Sequence, residues 1–248
     1  MTIKDFFYGT GGIVGDYDYG TTHLITVIII LILTITLCLI SKKFKKSVKP
    51  ILISIAVFQL FFEFLWRLLY VLFQNLPANY LWPLYPCNLA GIIIPIACLT
   101  NCKILKKLFY LFGFLGGIIT FAMPEGIFNN AYLNFGILKS ILQHTALILI
   151  PTIEYVTNTF KPKIKDFGFV ILGLLIHIFN SEIVSIIIKN PGDYMFFRSG
   201  LPFVIPGIPS FITLGVFGLL VIFIVNVLLD IKGTKSLFKH KNYYDIIG

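Results

Sequence analysis

Charge is what this sequence has least of. Of 248 residues, 12% are charged and only 11 are Asp or Glu, where an ordinary soluble domain is about a quarter charged. A water-soluble fold could not hide the 57% that are apolar. Small residues that would make a cleavage site after the apolar run from Leu24 are also missing, so no removable signal peptide is expected and that run stays as a helix. The four cysteines (Cys38, Cys87, Cys98, Cys102) show no metal-type spacing, which argues against both a zinc site and a disulfide framework. No nucleotide, metal or haem motif is present, and no cofactor is expected. The net charge of +9 does not point to nucleic acid, because the lysines cluster between apolar runs, where topology and anionic lipid headgroups account for them.

What is there is a series of apolar runs. A span needs about 20 mostly apolar residues to cross about 30 Å of hydrocarbon. The runs predict an all-α, seven-helix bundle with spans near His23 to Ile40, Pro50 to Phe73, Pro83 to Thr100, Lys106 to Met123, Leu133 to Tyr155, Ile164 to Ile188 and Ile208 to Asp230. Residues 1–22 form an extracellular segment, 23–230 the transmembrane domain and 231–248 a basic cytoplasmic tail. Lys42, Lys43, Lys45, Lys46 and Lys49, then Lys103, Lys106 and Lys107, then Lys161, Lys163 and Lys165, then Lys232, Lys235, Lys239 and Lys241 put fifteen of the 20 basic residues on alternate connections. The positive-inside rule then places the N-terminus outside the cell membrane and the C-terminus in the cytoplasm. The last outer connection has Gly and Pro around aromatics (Pro191, Gly192, Tyr194, Phe196, Phe197, Gly200, Pro202, Pro206, Gly207, Pro209) and reads as an ordered lid. No internal repeat is visible, which counts against a secondary transporter.

Ionisable groups inside spans are costly and ask for a partner or a water-filled cavity. Glu63 and Arg67 lie one turn apart and can pair, either as a site or as an ion pair that orders the helices. Gln143 and His144 sit about ten residues into the fifth span, near mid-bilayer at about 1.5 Å per residue. His144 is a candidate base or a hydrogen-bonded structural residue. Cys87, with Asn88 beside it, follows Pro83, Leu84, Tyr85 and Pro86 at the start of the third span, where the positive end of the helix dipole favours a thiolate. The alternative is a small core residue. With antiparallel spans, Cys87, Glu63, His144, His177, Asn180 and Glu182 fall in the outer half, and His23 joins them. A thiol that attacks an ester needs a base, and the base an orienting partner. Cys87, His144 and one of Glu63, Asn180 or Glu182 meet that requirement. Glu154 and Asp230 are expected to reach the cytoplasmic interface.

Several of these residues together resemble the YwaF-like family of bacterial integral membrane proteins, itself similar to the eukaryotic transmembrane acyltransferases of ether phospholipids. The resemblance rests on His23, on Glu63 and Trp66, on the stretch Pro83 to Leu89, on Met123 and Pro124, on Gln143 and His144, on Asn180, and on Asp193 to Phe197 with Pro202. The family pattern has His where Tyr85 stands and Asn where Asp193 stands. The resemblance implies Cys87 as acyl-accepting nucleophile and His144 as its base. Supporting or substrate-binding residues would be Glu63, Arg67, Asn88, Gln143, Asn180, Asp193, Tyr194 and His23.

Two functions follow as expectations. One is a bilayer-embedded lipid acyltransferase or acyl hydrolase working through a Cys87 thioester, with membrane lipids as partners. The other is a transporter or receptor that binds a small molecule or lipid among the same polar residues without covalent chemistry. A purely structural role for the buried polar residues stands beside both.

Overall fold

The computed structural model describes residues 3–8, 13–73, 76–124, 127–195 and 210–239. A short α1 (Ile3–Tyr8) precedes α2 (Thr21–Lys43), α3 (Val48–Phe73), α4 (Pro86–Thr100), α5 (Lys103–Ala122), α6 (Phe135–Val156) and α7 (Phe167–Ile178). Helix α7 runs on through a π-helical stretch, Phe179–Val184, into α8 (Ser185–Ile187), and α9 (Ser210–Leu229) and α10 (Ile231–Lys239) follow. Among the described residues the only β contact is an isolated bridge between Val14 and Asn130.

The Ile- and Thr-rich stretches would favour strands in water. In hydrocarbon every backbone N–H and C=O must bond within its own segment, so the same residues form helices. Five helices are long and apolar enough to cross a membrane: Thr21–Lys43, Lys45–Phe73, Lys103–Ala122, Phe135–Val156 and Ile164–Ile187. Pro86–Thr100 and Gly215–Leu229 are shorter apolar helices and coincide with the third and seventh predicted spans. Helix α4 is short for local reasons. Pro86 opens it at a position where its missing N–H costs nothing. It stops at Asn101, whose left-handed φ of 51° lets its N–H bond Ala97 and Cys98.

Helices α3, α4, α5 and α6 form the centre, with α7 against α5. Their core is Leu52, Ala56, Ala90, Ile94, Phe109, Leu147 and Ile150. Helix α2 lies on the periphery, with only His23, Ile30 and Ser41 buried. Close packing is allowed by missing side chains: a Cβ on Gly173 would sit 2.1 Å from the Leu108 carbonyl oxygen, so α5 and α7 touch backbone to backbone.

Two expectations at the lysine-rich end are corrected. Glu154 does not reach the interface; it is 2% exposed. Lys106, counted above as a loop residue, is equally buried and lies 2.8 Å from Glu154, which also accepts from Tyr110 Oη at 3.2 Å. With both helix ends buried, each charge is the other's ionic partner, with Asn101 and Tyr110 as neutral hydrogen-bond partners. Asp230 is half-buried and accepts the N–H of Ile164 at 3.1 Å and of Gly233 at 3.1 Å. The predicted lid residues from Phe196 to Pro209, and Lys241 in the tail, lie outside the described residues.

Candidate functional site

At the lysine-poor end, α3, α4 and α6 enclose a buried polar cluster. Gln59, Glu63 and Arg67 recur every four residues on α3 and are all buried, so one stripe of that helix faces inward. Glu63 is held between two cations. Arg67 Nε donates to Glu63 Oε1 at 2.7 Å and Arg67 Nη1 to the Leu81 carbonyl at 3.1 Å. On the other side, Lys139 Nζ of α6 lies 2.7 Å from Glu63 Oε2. Lys139 also donates to Asn88 Oδ1 at 3.0 Å and to Gln143 Oε1, and it sits 4.9 Å from the centre of the Trp66 ring, a cation–π contact. One turn further, Gln59 Nε2 donates to the Gly91 carbonyl at 3.4 Å. A Cβ on Gly91 would meet Gln143 Cγ at 3.0 Å, so α4 and α6 pack tightly there against the Gln143 side chain.

Cys87 lies half-buried in the first turn of α4. Its Sγ is 4.0 Å from Asn88 Oδ1, the oxygen that also receives Lys139. The charges of Lys139 and Glu63 both bear on the thiol. His144 is buried, and its Nδ1 lies 2.8 Å from the Ser140 carbonyl oxygen and 3.3 Å from Ser140 Oγ. A carbonyl oxygen only accepts, so Nδ1 carries the hydrogen and Nε2 is the basic nitrogen of the neutral ring. No hydrogen bond joins Cys87 to His144 among the described residues; the two share Lys139 and Glu63 as charged neighbours.

Glu63, Arg67, Asn88 and Gln143 are thus brought into one cluster with Cys87 at its edge. Other candidates are placed elsewhere. Asn180, in the π-helical stretch, donates to the Pro83 carbonyl at 2.8 Å and accepts from Trp82 Nε1 at 2.7 Å, while Ser181 Oγ donates to the Leu84 carbonyl at 2.7 Å. These bonds clamp the extended segment that leads into α4, and Asn180 is a clamp rather than a neighbour of the thiol. His23 is used up in joining α2 to α5: it accepts from the Tyr19 N–H at 2.9 Å and bonds the Phe121 carbonyl at 2.9 Å. Tyr194 packs edge-on against Tyr85 at 5.0 Å and donates to Asn190. Tyr85 is the residue before α4. His177 stacks on Phe112 at 4.5 Å and belongs to the α5–α7 packing.

Sequence reading missed Lys139. It lies in a predicted span, and its signal was spacing: Lys139 and Gln143 are four apart, as are Glu63 and Arg67. Beside the cluster opens a cavity of about 370 Å³ whose lining includes Trp66, Tyr70, Asn130, Asn134, Gly136 and Ser140, but neither Cys87 nor His144. No group of three or more His, Cys, Asp or Glu that could hold a metal ion occurs among the described residues.

No curated protein and no solved structure matches the chain. The TMEM164 family model matches residues 19–229, a range that contains every residue of the cluster. A transmembrane family, several long apolar helices and a charged cluster enclosed within them describe a multi-pass membrane protein. The chain belongs to the TMEM164 family.

Proposed function

We propose that this protein is a membrane-embedded lipid acyltransferase or acyl hydrolase of YwaF-like type, with seven spans, the N-terminus outside and the C-terminus in the cytoplasm. The observation that carries the reading is the placement of Cys87: a half-buried thiol in the first turn of α4, bordering the buried Glu63–Arg67–Lys139 cluster. In this reading Cys87 Sγ attacks the carbonyl of a lipid ester and its proton passes to His144 Nε2. The C–S bond forms, the C–O bond breaks, and the leaving alcohol takes the proton. A second hydroxyl, from an acceptor lipid or water, then attacks the thioester and restores the thiol. The cavity lined by Trp66, Asn134 and Ser140 would receive the polar part of the lipid, and Ser140 links it to His144.

The test is intact-protein mass spectrometry in phospholipid, with Cys87→Ala and His144→Ala beside the parent. A fatty-acyl adduct confined to Cys87 and lost in His144→Ala supports the reading; an unmodified Cys87 sinks it. One observation favours a second reading, a non-covalent lipid or small-molecule binder: the cavity opens on Ser140 and Trp66 and not on the thiol. A binder keeps its affinity in Cys87→Ser, whereas the transferase loses turnover.

A further inference from the structure

At the lysine-rich end, away from the Glu63 cluster, one polar side chain is buried without a use. Asn226 lies on α9 one turn after Ile222, which packs into an apolar cluster with Leu111 of α5 and Val170 of α7. Asn226 is 0% exposed, and neither its amide nitrogen nor its amide oxygen has a hydrogen-bond partner. Burying an unbonded amide is costly, and a leucine at this position would avoid the cost. Asn226 lines a small cavity of about 10 Å³ together with Lys106, Lys107, Lys163 and Asp166. That is room for about one oxygen atom and not for a whole headgroup. Of these cations, Lys106 is committed to Glu154, and Lys107 to Asp166 at 2.9 Å. Lys163 is exposed and has no acidic partner among the described residues.

Leu111, Phe160 and Pro162 form a wall common to this cavity and to an apolar groove of about 80 Å³ between α5, α6 and the end of α9. The hydroxyls in the groove are turned back into the protein: Tyr110 donates to Glu154, Thr152 to the Ile148 carbonyl and Tyr155 to the Leu229 carbonyl. What remains is an apolar trough that ends at an unused amide and an exposed cation. We infer that this is a binding site for one anionic phospholipid. A phosphate oxygen enters beside Asn226 and accepts its amide N–H, the rest of the phosphate lies against Lys163, and an acyl chain follows the groove past Phe114, Pro151 and Leu229. The small cavity and the adjoining groove favour a lipid over a soluble anion, and lysines next to a membrane attract anionic headgroups. The Asp166 carboxylate is neutralised by Lys107 and does not repel the phosphate. The site is separate from the cavity lined by Trp66 and Ser140 and does not depend on the acyl-transfer reading.

The test titrates full-length protein in neutral detergent with phosphatidylglycerol and with phosphatidylcholine, counting bound lipid by native mass spectrometry. The parent should hold one phosphatidylglycerol in preference to phosphatidylcholine. Asn226→Leu should weaken that binding about tenfold, the loss of one hydrogen bond to a charged group. Without lipid the same variant should melt no earlier than the parent, because the unbonded amide is gone. Lys163→Gln should weaken binding about fivefold, and Lys165→Gln, which lies outside the cavity, should weaken it less. Unchanged affinity in Asn226→Leu shows that the amide serves a buried water only and overturns the inference. Should that variant fail to fold, Lys163→Gln decides at an exposed position: losses equal to those of Lys165→Gln mean diffuse attraction to a basic surface and overturn the inference too. Inorganic phosphate without charged lipid should leave the melting of the parent unchanged. Stabilisation by phosphate in the parent and not in Asn226→Leu would show a free-phosphate site and overturn the lipid assignment.

Discussion

Removing one partner of the Lys106–Glu154 pair should cost far more than removing both. In Glu154→Leu the Lys106 ammonium loses two carboxylate contacts of 2.8 Å and keeps Asn101 Oδ1 at 2.8 Å as its polar contact, while Tyr110 Oη loses its acceptor. Lys106 is 2% exposed, so water does not replace the lost oxygens. Breaking a buried pair from one side costs about 3–5 kcal/mol, while exchanging both charges for apolar side chains is close to neutral. Glu154→Leu and Lys106→Met should therefore each lose about 3 kcal/mol or more, a factor of about 150 in the unfolding equilibrium. The double variant should recover most of that loss. Neutral hydrogen bonds in a membrane bundle average about 0.6 kcal/mol, so three of them would sum to under 2 kcal/mol without any rescue. The assay is reversible unfolding in mixed micelles of denaturing and native detergent, with the four proteins compared as a cycle. Single variants costing less than about 1 kcal/mol, or a double variant that costs the sum of the two, would refute the reasoning.

Gly173→Ala should destabilise the bundle by about 1–3 kcal/mol or more, because the added Cβ lands 2.1 Å from the Leu108 carbonyl oxygen, whereas Gly116→Ala has nothing within 4 Å of its Cβ and should be neutral or stabilising; melting of detergent-solubilised protein compares them. Asn180→Ala removes the bonds to Trp82 and Pro83 and should cost about 1–3 kcal/mol. Hydrogen exchange should quicken over residues 82–90 but not in α3, and equal protection in both variants of the segment would show that Asn180 clamps nothing.

The seven apolar runs were legible because hydrocarbon imposes one rule on every residue, and the observed helices fall within a few residues of the predicted runs. The end of α4 was fixed by Asn101 in a left-handed conformation, which composition does not announce. Side-chain destinations were harder. His144 and Gln143 are adjacent in sequence, but about 100° separates neighbours on a helix. Gln143 therefore faces α4 and Lys139, and His144 faces Ser140 and the Phe121 ring of α5. Spacing alone put both in one outer layer without saying which would reach the cluster. Glu154 was assigned to the interface from its distance along the chain, although depth is set by where the partner sits, and Lys106 sits inside. The same reasoning accounts for Lys139. A lysine six residues into a predicted span can snorkel to the surface on its long stem, and it stays inside here because Glu63 on a neighbouring helix offers a carboxylate at the same depth. Glu63 and Arg67 look complete as a pair one turn apart on α3, and only the layer shared by α3 and α6 adds Lys139 to them.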